Sequence, residues 1–312
     1  MKKIYLALII LLITATNCFS SDNAGAFIEN TIGARPAGMG SAFCAITGDT
    51  NSIYWNPAGL AAVQNQEIGF SSYNAYETRF LCLEGIMPLK DFIFGIGFIG
   101  AGTDGAKYMA YNNTTGRWDE TGSTFGYNGS AIFLSLAKKL TQDFYLGVNT
   151  KIIKEDMAAN KAYGFGADLG MLYQIENISL GLNFQNIISP QMQWNTASKN
   201  VDSIPANIKT GLGIKLFDEK LLIATDLNLT KNRPVGISAG CEFKPINAIA
   251  FRLGIQTDTH KLENIFKQLS RIEGLSLGLG LNLNPFTFDL SYNTADINEI
   301  DASYRISIGY IL

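Results

Sequence analysis

The chain has 312 residues, 24 Lys and Arg against 27 Asp and Glu, and a formal net charge of −3, so it lacks the basic stripe of a nucleic-acid binder. Beyond the first twenty residues there is no run of about 18 apolar residues, which excludes helical membrane spans. Glycine is plentiful at 31 residues and proline scarce at 8, a balance that suits a sheet with bends and close backbone approaches.

Residues 1–20 read as a signal peptide. Lys2 and Lys3 form the charged start, and Ile4 to Ile13 is an apolar run too short to span a bilayer. Small or polar residues then lead to cleavage after Ser20, with Cys18 and Ser20 at the −3 and −1 positions. A lipoprotein cut before Cys18 is the rival reading, and Asn17 is a poor residue in front of a lipid-accepting cysteine. Export without an inner-membrane anchor means periplasm, outer membrane or outside. Residues 21–65 do not alternate in polarity and are small and glycine-rich. In that stretch Pro57 fixes a turn, Asn56 is able to bond its own backbone, and Gly59 permits close packing.

From residue 66 onward, fourteen stretches alternate apolar with small or polar residues. They fall at about 66–75, 78–89, 91–102, 129–139, 143–155, 161–174, 178–188, 206–217, 220–230, 235–245, 248–257, 274–282, 285–293 and 303–312. The clearest has Leu275, Leu277, Leu279, Leu281 and Leu283 alternating with Ser276, Gly278, Gly280 and Asn282. Glycine on the polar face fits a crowded lumen better than the water-facing side of a soluble sandwich. Tight links (around Lys90, 140–142, Glu176, 217–219, 245–247 and Asn284) alternate with longer ones, of which 103–128, 189–205, 258–273 and 294–302 are the longest. Short periplasmic turns, long outer loops and an even strand count are the pattern of outer-membrane barrels. In hydrocarbon every backbone N–H and C=O must be paired internally, and a chain of period-2 strands achieves that only by closing on itself. The expectation is an all-β fold: a 14-stranded antiparallel transmembrane β-barrel over 66–312, in contact with outer-membrane lipid. Tyr304 and Tyr310 on the last strand suit an interfacial aromatic girdle.

Strand parity turns Glu84, Lys151, Asp168, Lys209, Lys215, Asp226, Glu242, Lys244, Arg252, Asp289 and Arg305 inward. Charges of both signs in one lumen form either a structural network holding a plug or a selective binding track. Cys241 lies on an outward stripe and Cys82 on an inward one, so those two cannot pair. A Cys44–Cys82 pair is geometrically conceivable, and small buried thiols are the plainer reading. In the third strand the alternation lapses after Phe98, which admits a kink near Gly100 and Gly102. Gly164 to Gly170 lacks the spacing of a nucleotide loop and sits inside a strand. For the single histidine, His260, the sequence gives no argument for a carboxylate or oxyanion geometry, so no enzyme is expected, and no Cys/His cluster calls for a metal or other cofactor. Leu262, Ile265, Phe266 and Leu269 stand at helical spacing in an outer loop, as a short amphipathic helix over the mouth would.

Two motifs carry a resemblance. The run Gly33-Ala34-Arg35-Pro36-Ala37-Gly38-Met39-Gly40, followed by Asn51-Ser52-Ile53-Tyr54-Trp55-Asn56-Pro57-Ala58-Gly59-Leu60, resembles the N-terminus of the PorV/PorQ family within the FadL-like superfamily of outer-membrane barrels. Gly181-Leu182-Asn183-Phe184-Gln185-Asn186 is similar to a recurring strand of that family. The resemblance implies that 21–65 folds into the lumen as a hatch. The family's Asn-Pro-Ala triplet falls on Asn56, Pro57 and Ala58, and Trp55 would seat the hatch on the wall. It further implies a lateral exit at a kinked third strand. Two roles follow from it. One is passive transport of a hydrophobic small molecule, without a cofactor. The other is a non-transporting part of a type IX-like secretion or attachment system, binding a secreted protein or secretion component through loops 103–128 (Tyr108, Tyr111, Trp118) and 189–205 (Met192, Trp194).

Overall fold

The computed structural model describes residues 25–75, 77–259, 274–294 and 302–312. The signal segment, His260 and the expected helix at 261–271 lie outside the described residues.

Sixteen strands occur in chain order: β1 (Glu67–Ala75), β2 (Thr78–Pro88), β3 (Ile93–Asn112), β4 (Arg117–Lys139), β5 (Phe144–Met157), β6 (Asn160–Ile175), β7 (Ile178–Ile188), β8 (Gln191–Trp194), β9 (Val201–Ser203), β10 (Asn207–Leu216), β11 (Leu221–Thr230), β12 (Gly236–Ile246), β13 (Ile249–Asp258), β14 (Leu275–Leu283), β15 (Phe286–Asn293) and β16 (Ser303–Ile311). β8 and β9 form a short hairpin; the other strands make a closed 14-stranded antiparallel barrel. Closure is by β16 on β1, with Tyr310 opposite Ile68 and Ile308 opposite Phe70. No barrel strand is left with an open edge, which is the condition for crossing hydrocarbon. Outward positions carry the exposed apolar stripe, for example Ile68 and Phe70 on β1, Leu277 and Leu279 on β14, and Ile306 and Ile308 on β16.

The wall strands match the sequence pattern closely, and two expected loops do not. Residues 103–128 are not an irregular loop, because β3 and β4 run on as a hairpin to a turn at 113–116. Beyond the membrane both faces of a hairpin meet water, so the alternation that marks a strand fades. Cross-strand pairs hold this extension instead: Tyr111 on Trp118, Tyr108 on Phe125, and Lys107 with Glu120. Residues 189–205 fold into the mouth rather than outward. Met192 and Ile204 are fully buried, Pro190 lies against Gly166 of β6, and Trp194 donates to Asp202.

The segment from Gly25 to Val63 sits inside the ring, built from short turns: 3-10 turns at Ala26–Glu29 and Pro57–Ala62, and single helical turns at Ala34–Gly38 and Ser52–Trp55. Its apolar side chains pack against inward side chains of the wall, among them Phe80, Ile99 and Phe133. The inward wall glycines seat its backbone at three places. Gly240 and Gly254 meet Met39 and Gly40, Gly181 and Gly211 meet Cys44 and Ala45, and Gly147 and Gly170 meet Asn56 to Ala58. A Cβ on any of these would overlap main-chain or neighbouring atoms, so the wall is glycine where the segment's backbone touches it.

Gly240→Val therefore displaces residues 38–40. Overpacking of this kind costs about 1–3 kcal/mol. Limited proteolysis of the detergent-solubilised barrel is expected to cut the N-terminal segment in this variant. It should spare Gly85→Ala, whose added Cβ meets only the Ile96 side chain, at 3.4 Å.

Candidate functional site

The candidate site is the filled lumen. At its centre Asn56 is fully buried and does three things. Its side-chain oxygen accepts from the Ala58 N–H at 3.1 Å, capping the 57–62 turn. Its amide donates to the Cys44 carbonyl at 2.8 Å and to the Met171 carbonyl of β6 at 3.1 Å. Pro57 and Ala58 occupy the groove left by Gly147 and Gly170, and Gly59 packs on Ser52 and the Ile46 carbonyl. Trp55 is buried and its indole N–H donates to the Ile32 carbonyl at 3.0 Å.

A helical turn of four residues leaves its last carbonyls without partners in the helix. Here wall amides supply them. Asn149 donates to the Ile53 carbonyl at 2.7 Å, Gln185 to that of Tyr54 at 3.0 Å, and Asn183 to that of Trp55 at 2.8 Å. Strict alternation would keep Phe184 on the opposite face from Asn183 and Gln185. Instead the β6–β7 register shifts between Ala167 and Leu169, and Asn183 to Asn186 are all buried. None of the three amides stood out from the many inward polar residues as a contact point, because their partners are backbone groups of an irregular segment.

The inward charges fall into distinct sets. Lys151 and Asp168 pair at 2.6 Å, and Asp168 also accepts from the Asn186 N–H at 2.7 Å. Asp226 accepts from the backbone N–H groups of Phe43 and Cys44, each at 2.8 Å. Lys209 rests on the rings of Trp55 and Tyr54, 4.4 and 5.1 Å from their centroids. Arg305 donates to the Thr31 carbonyl at 3.2 Å and lies over Tyr73. Glu242, Arg252 and Asp289 form a chain, with Arg252 at 2.6 Å from each acid. Lys244, at the short-turn rim, reaches Glu242 at 3.1 Å, and Lys215, at the end of its inward row, pairs with Glu219 in the 217–219 turn. Glu84 and Thr50 line a chamber of about 250 Å³ at the short-turn end together with Arg35, Asp49, Glu67, Arg252 and Asp289.

Arg35 is the residue that parity could not reveal, because it lies in the non-alternating segment. It holds both oxygens of Glu242 at 2.9 Å and Asp49 at 2.8 Å. Burial opposes its charge, and the two carboxylates more than offset that, so its guanidinium is held protonated more firmly than a free one. The only sequence signal for it is the Gly-Ala-Arg run of the resemblance.

Gly100 and Gly102 of β3 pair in register with both β2 and β4. The ladder's irregularities come later, between Thr103 and Ala106 and between Lys107 and Met109. Cys44, Cys82 and Cys241 are free thiols. Cys44 abuts β7 and β10 while Cys82 lies on β2 across the ring, too far round the wall for the conceivable pair. Burial, and after it the nearby Asp226 carboxylate, pushes the Cys44 thiol well above its usual range.

Arg35→Met removes the cation between Asp49 and Glu242. Breaking a buried pair by deleting one partner costs about 3 kcal/mol or more. Guanidinium unfolding of the barrel in lipid is expected to show a loss of that size. Lys107→Met, in the exposed hairpin pair, should leave the midpoint unchanged.

No family model matches the chain, and no curated protein matches it. Among solved structures it is similar to the toluene transporter TbuX of Ralstonia pickettii, with a TM-score of 0.65 and 13% identity over 90% of this chain and 97% of that one. It is also similar to the Pseudomonas putida toluene transporter TodX, with a TM-score of 0.61 and 13% identity over 95% and 99%. A Pseudomonas aeruginosa FadL homologue gives 0.63 and 12% over 90% and 98%. At such identities the likeness is one of fold: this chain has the fold of FadL-like outer-membrane barrels.

Proposed function

We propose that the chain is an outer-membrane channel for passive uptake of hydrophobic small molecules. Residues 21–65 act as its hatch, and its cargo leaves sideways through the wall at β3. One observation carries this reading: two hollows lie on opposite faces of the same strands. On the inner face, a mainly apolar cavity of about 480 Å³ is lined by Ala26, Phe27, Glu29, Asn30, Thr78, Phe80 and Tyr127. On the outer face, a groove of about 750 Å³ runs over Leu81, Phe98, Gly100, Gly102, Asn128 and Ser130, with Glu77, Arg79 and Asp104 along it. Ala101 and Gly129 are the wall between them, and both also border the outer groove. The Phe27 ring covers Gly129 so closely that a Cβ there would stand 2.6 Å from it. Gly100 and Gly102 thin the wall by lacking side chains, with the ladder intact.

The direct route down the lumen is unfavourable for an apolar cargo. It leads past Arg35, Glu242, Arg252 and Asp289, whose contacts it would have to displace. Sideways, the cargo leaves a mainly apolar cavity across two glycines, into a groove where Leu81 and Phe98 stand beside Glu77, Arg79 and Asp104. The toluene transporters of the same fold are consistent with such a cargo. A second reading, a component of a secretion or attachment system, is supported by the projecting β3–β4 hairpin, where Tyr108, Met109, Tyr111 and Trp118 are exposed.

Entry of the hydrophobic fluorophore N-phenylnaphthylamine into expressing cells tests the first reading. Gly129→Leu and Gly100→Val are expected to bring uptake down to that of cells lacking the protein, and Phe27→Ala to raise it several-fold. Normal uptake by both glycine variants would reject the lateral route. Recovery of a stoichiometric protein partner through the 104–126 hairpin, with no such uptake, would favour the second reading.

A further inference from the structure

A separate cavity of about 160 Å³ lies at the outer mouth against β7, β10 and β11, on the other side of the 26–29 turn from the apolar one. Three cations border it, and two of them are committed: Lys151 to Asp168 at 2.6 Å, and Arg233 to Glu29 at 2.7 Å. Lys209 is different. It is only 8% exposed, and among the described residues its ammonium makes no ion pair, resting on the Trp55 and Tyr54 rings. Two amides that line the same cavity, Asn186 and Asn228, have buried side-chain oxygens with no hydrogen-bond partner among the described residues. Asn186 itself is 6% exposed.

A buried ammonium on which carboxylates (Asp226 and Asp168) act only beyond ion-pair distance, and a buried acceptor without a donor, are both costly. Lining one cavity, they describe the complement of a small molecule with an anionic oxygen and an O–H. Since one water occupies about 30 Å³, the cavity has room for about half a dozen non-hydrogen atoms. That excludes a long acyl chain. We propose that this cavity binds a short α-hydroxy carboxylate. Its carboxylate sits on the Lys209 ammonium and its hydroxyl donates to the Asn186 side-chain oxygen. Charge-assisted contacts of this type are the strong ones in a secluded site. The site is independent of the lateral route.

Trp55 lies against Lys209 and serves as the reporter. With Trp118 and Trp194 replaced by Phe, the purified full-length barrel has one emitting tryptophan. Sodium lactate, titrated against matched sodium chloride, is expected to change its fluorescence saturably. Lactamide, of the same shape without the charge, should give no response, and acetate, without the hydroxyl, should bind several-fold more weakly. Lys209→Met should weaken lactate binding at least tenfold, and Lys209→Arg should retain most of it. If Lys209→Met does not fold, as judged by heat-modifiable gel migration, Asn228→Asp replaces it. Position 228 lies opposite Lys209 in the β10–β11 register, so an internal carboxylate there competes for the ammonium and should also weaken binding at least tenfold. No saturable change, an equal response to lactamide, or undiminished affinity in the variant used would overturn the proposal. Acetate binding as tightly as lactate would overturn the α-hydroxy assignment.

Discussion

Backbone that is neither strand nor long helix persists at membrane depth only where something else satisfies its N–H and C=O groups. Residues 25–63 meet that condition because the wall is built to bond them. Asp226 takes two N–H groups, and Asn149, Asn183 and Gln185 give to three successive carbonyls. Ser307 accepts from the Ala34 N–H, and Asn293 and Arg305 give to the carbonyls of Ala37 and Thr31. Remove the segment and these wall groups lose their partners; remove the wall and the segment has too little regular structure to hold itself.

Shape follows from the same dependence. Wall glycines stand where the segment's backbone comes closest, so main chain meets main chain with no side chain between. Such contacts admit little sliding, since a packed interior does not deform continuously. The ion chain from Asp49 through Arg35, Glu242 and Arg252 to Asp289 then locks the half toward the short turns. Taken as stability, buried ion pairs are a weak argument, because desolvation offsets much of their attraction. Taken as register they are strong, because a misplaced segment would carry the buried Arg35 guanidinium away from Glu242.

The two halves of the lumen therefore differ in kind. The half toward the short turns is charged and bonded through. The outer half holds the aromatic and aliphatic side chains of Phe27, Tyr54, Trp55, Phe80 and Phe133, with hollows around them. A wall thinned at Gly100 and Gly102 stands beside the apolar hollow. In the channel proposed above, an apolar solute that reached the apolar hollow would meet the charged chain below it, which favours the sideways path to lipid.

The period-2 pattern determined the barrel. Alternating polarity is imposed by two different solvents on the two faces of each strand, and the number of alternating stretches added the count. Parity also put Lys151, Asp168, Lys209, Asp226, Glu242, Arg252, Asp289 and Arg305 on the lumen side, since a lipid-facing charge is so unfavourable. The pattern stopped where the two solvents stopped differing, which is why the β3–β4 hairpin read as loop and why 189–205 gave no sign of folding inward. Only the tertiary structure decided which inward groups meet: that Lys209 lies on rings while Lys151 pairs with Asp168, that Arg35 reaches Glu242 across 207 positions of sequence, and that three wall amides end a helical turn. Facing is a local property, set by each residue's place in its own strand. Partnership depends on how far around the ring and how deep in the lumen an irregular segment comes to rest, and no periodicity records that.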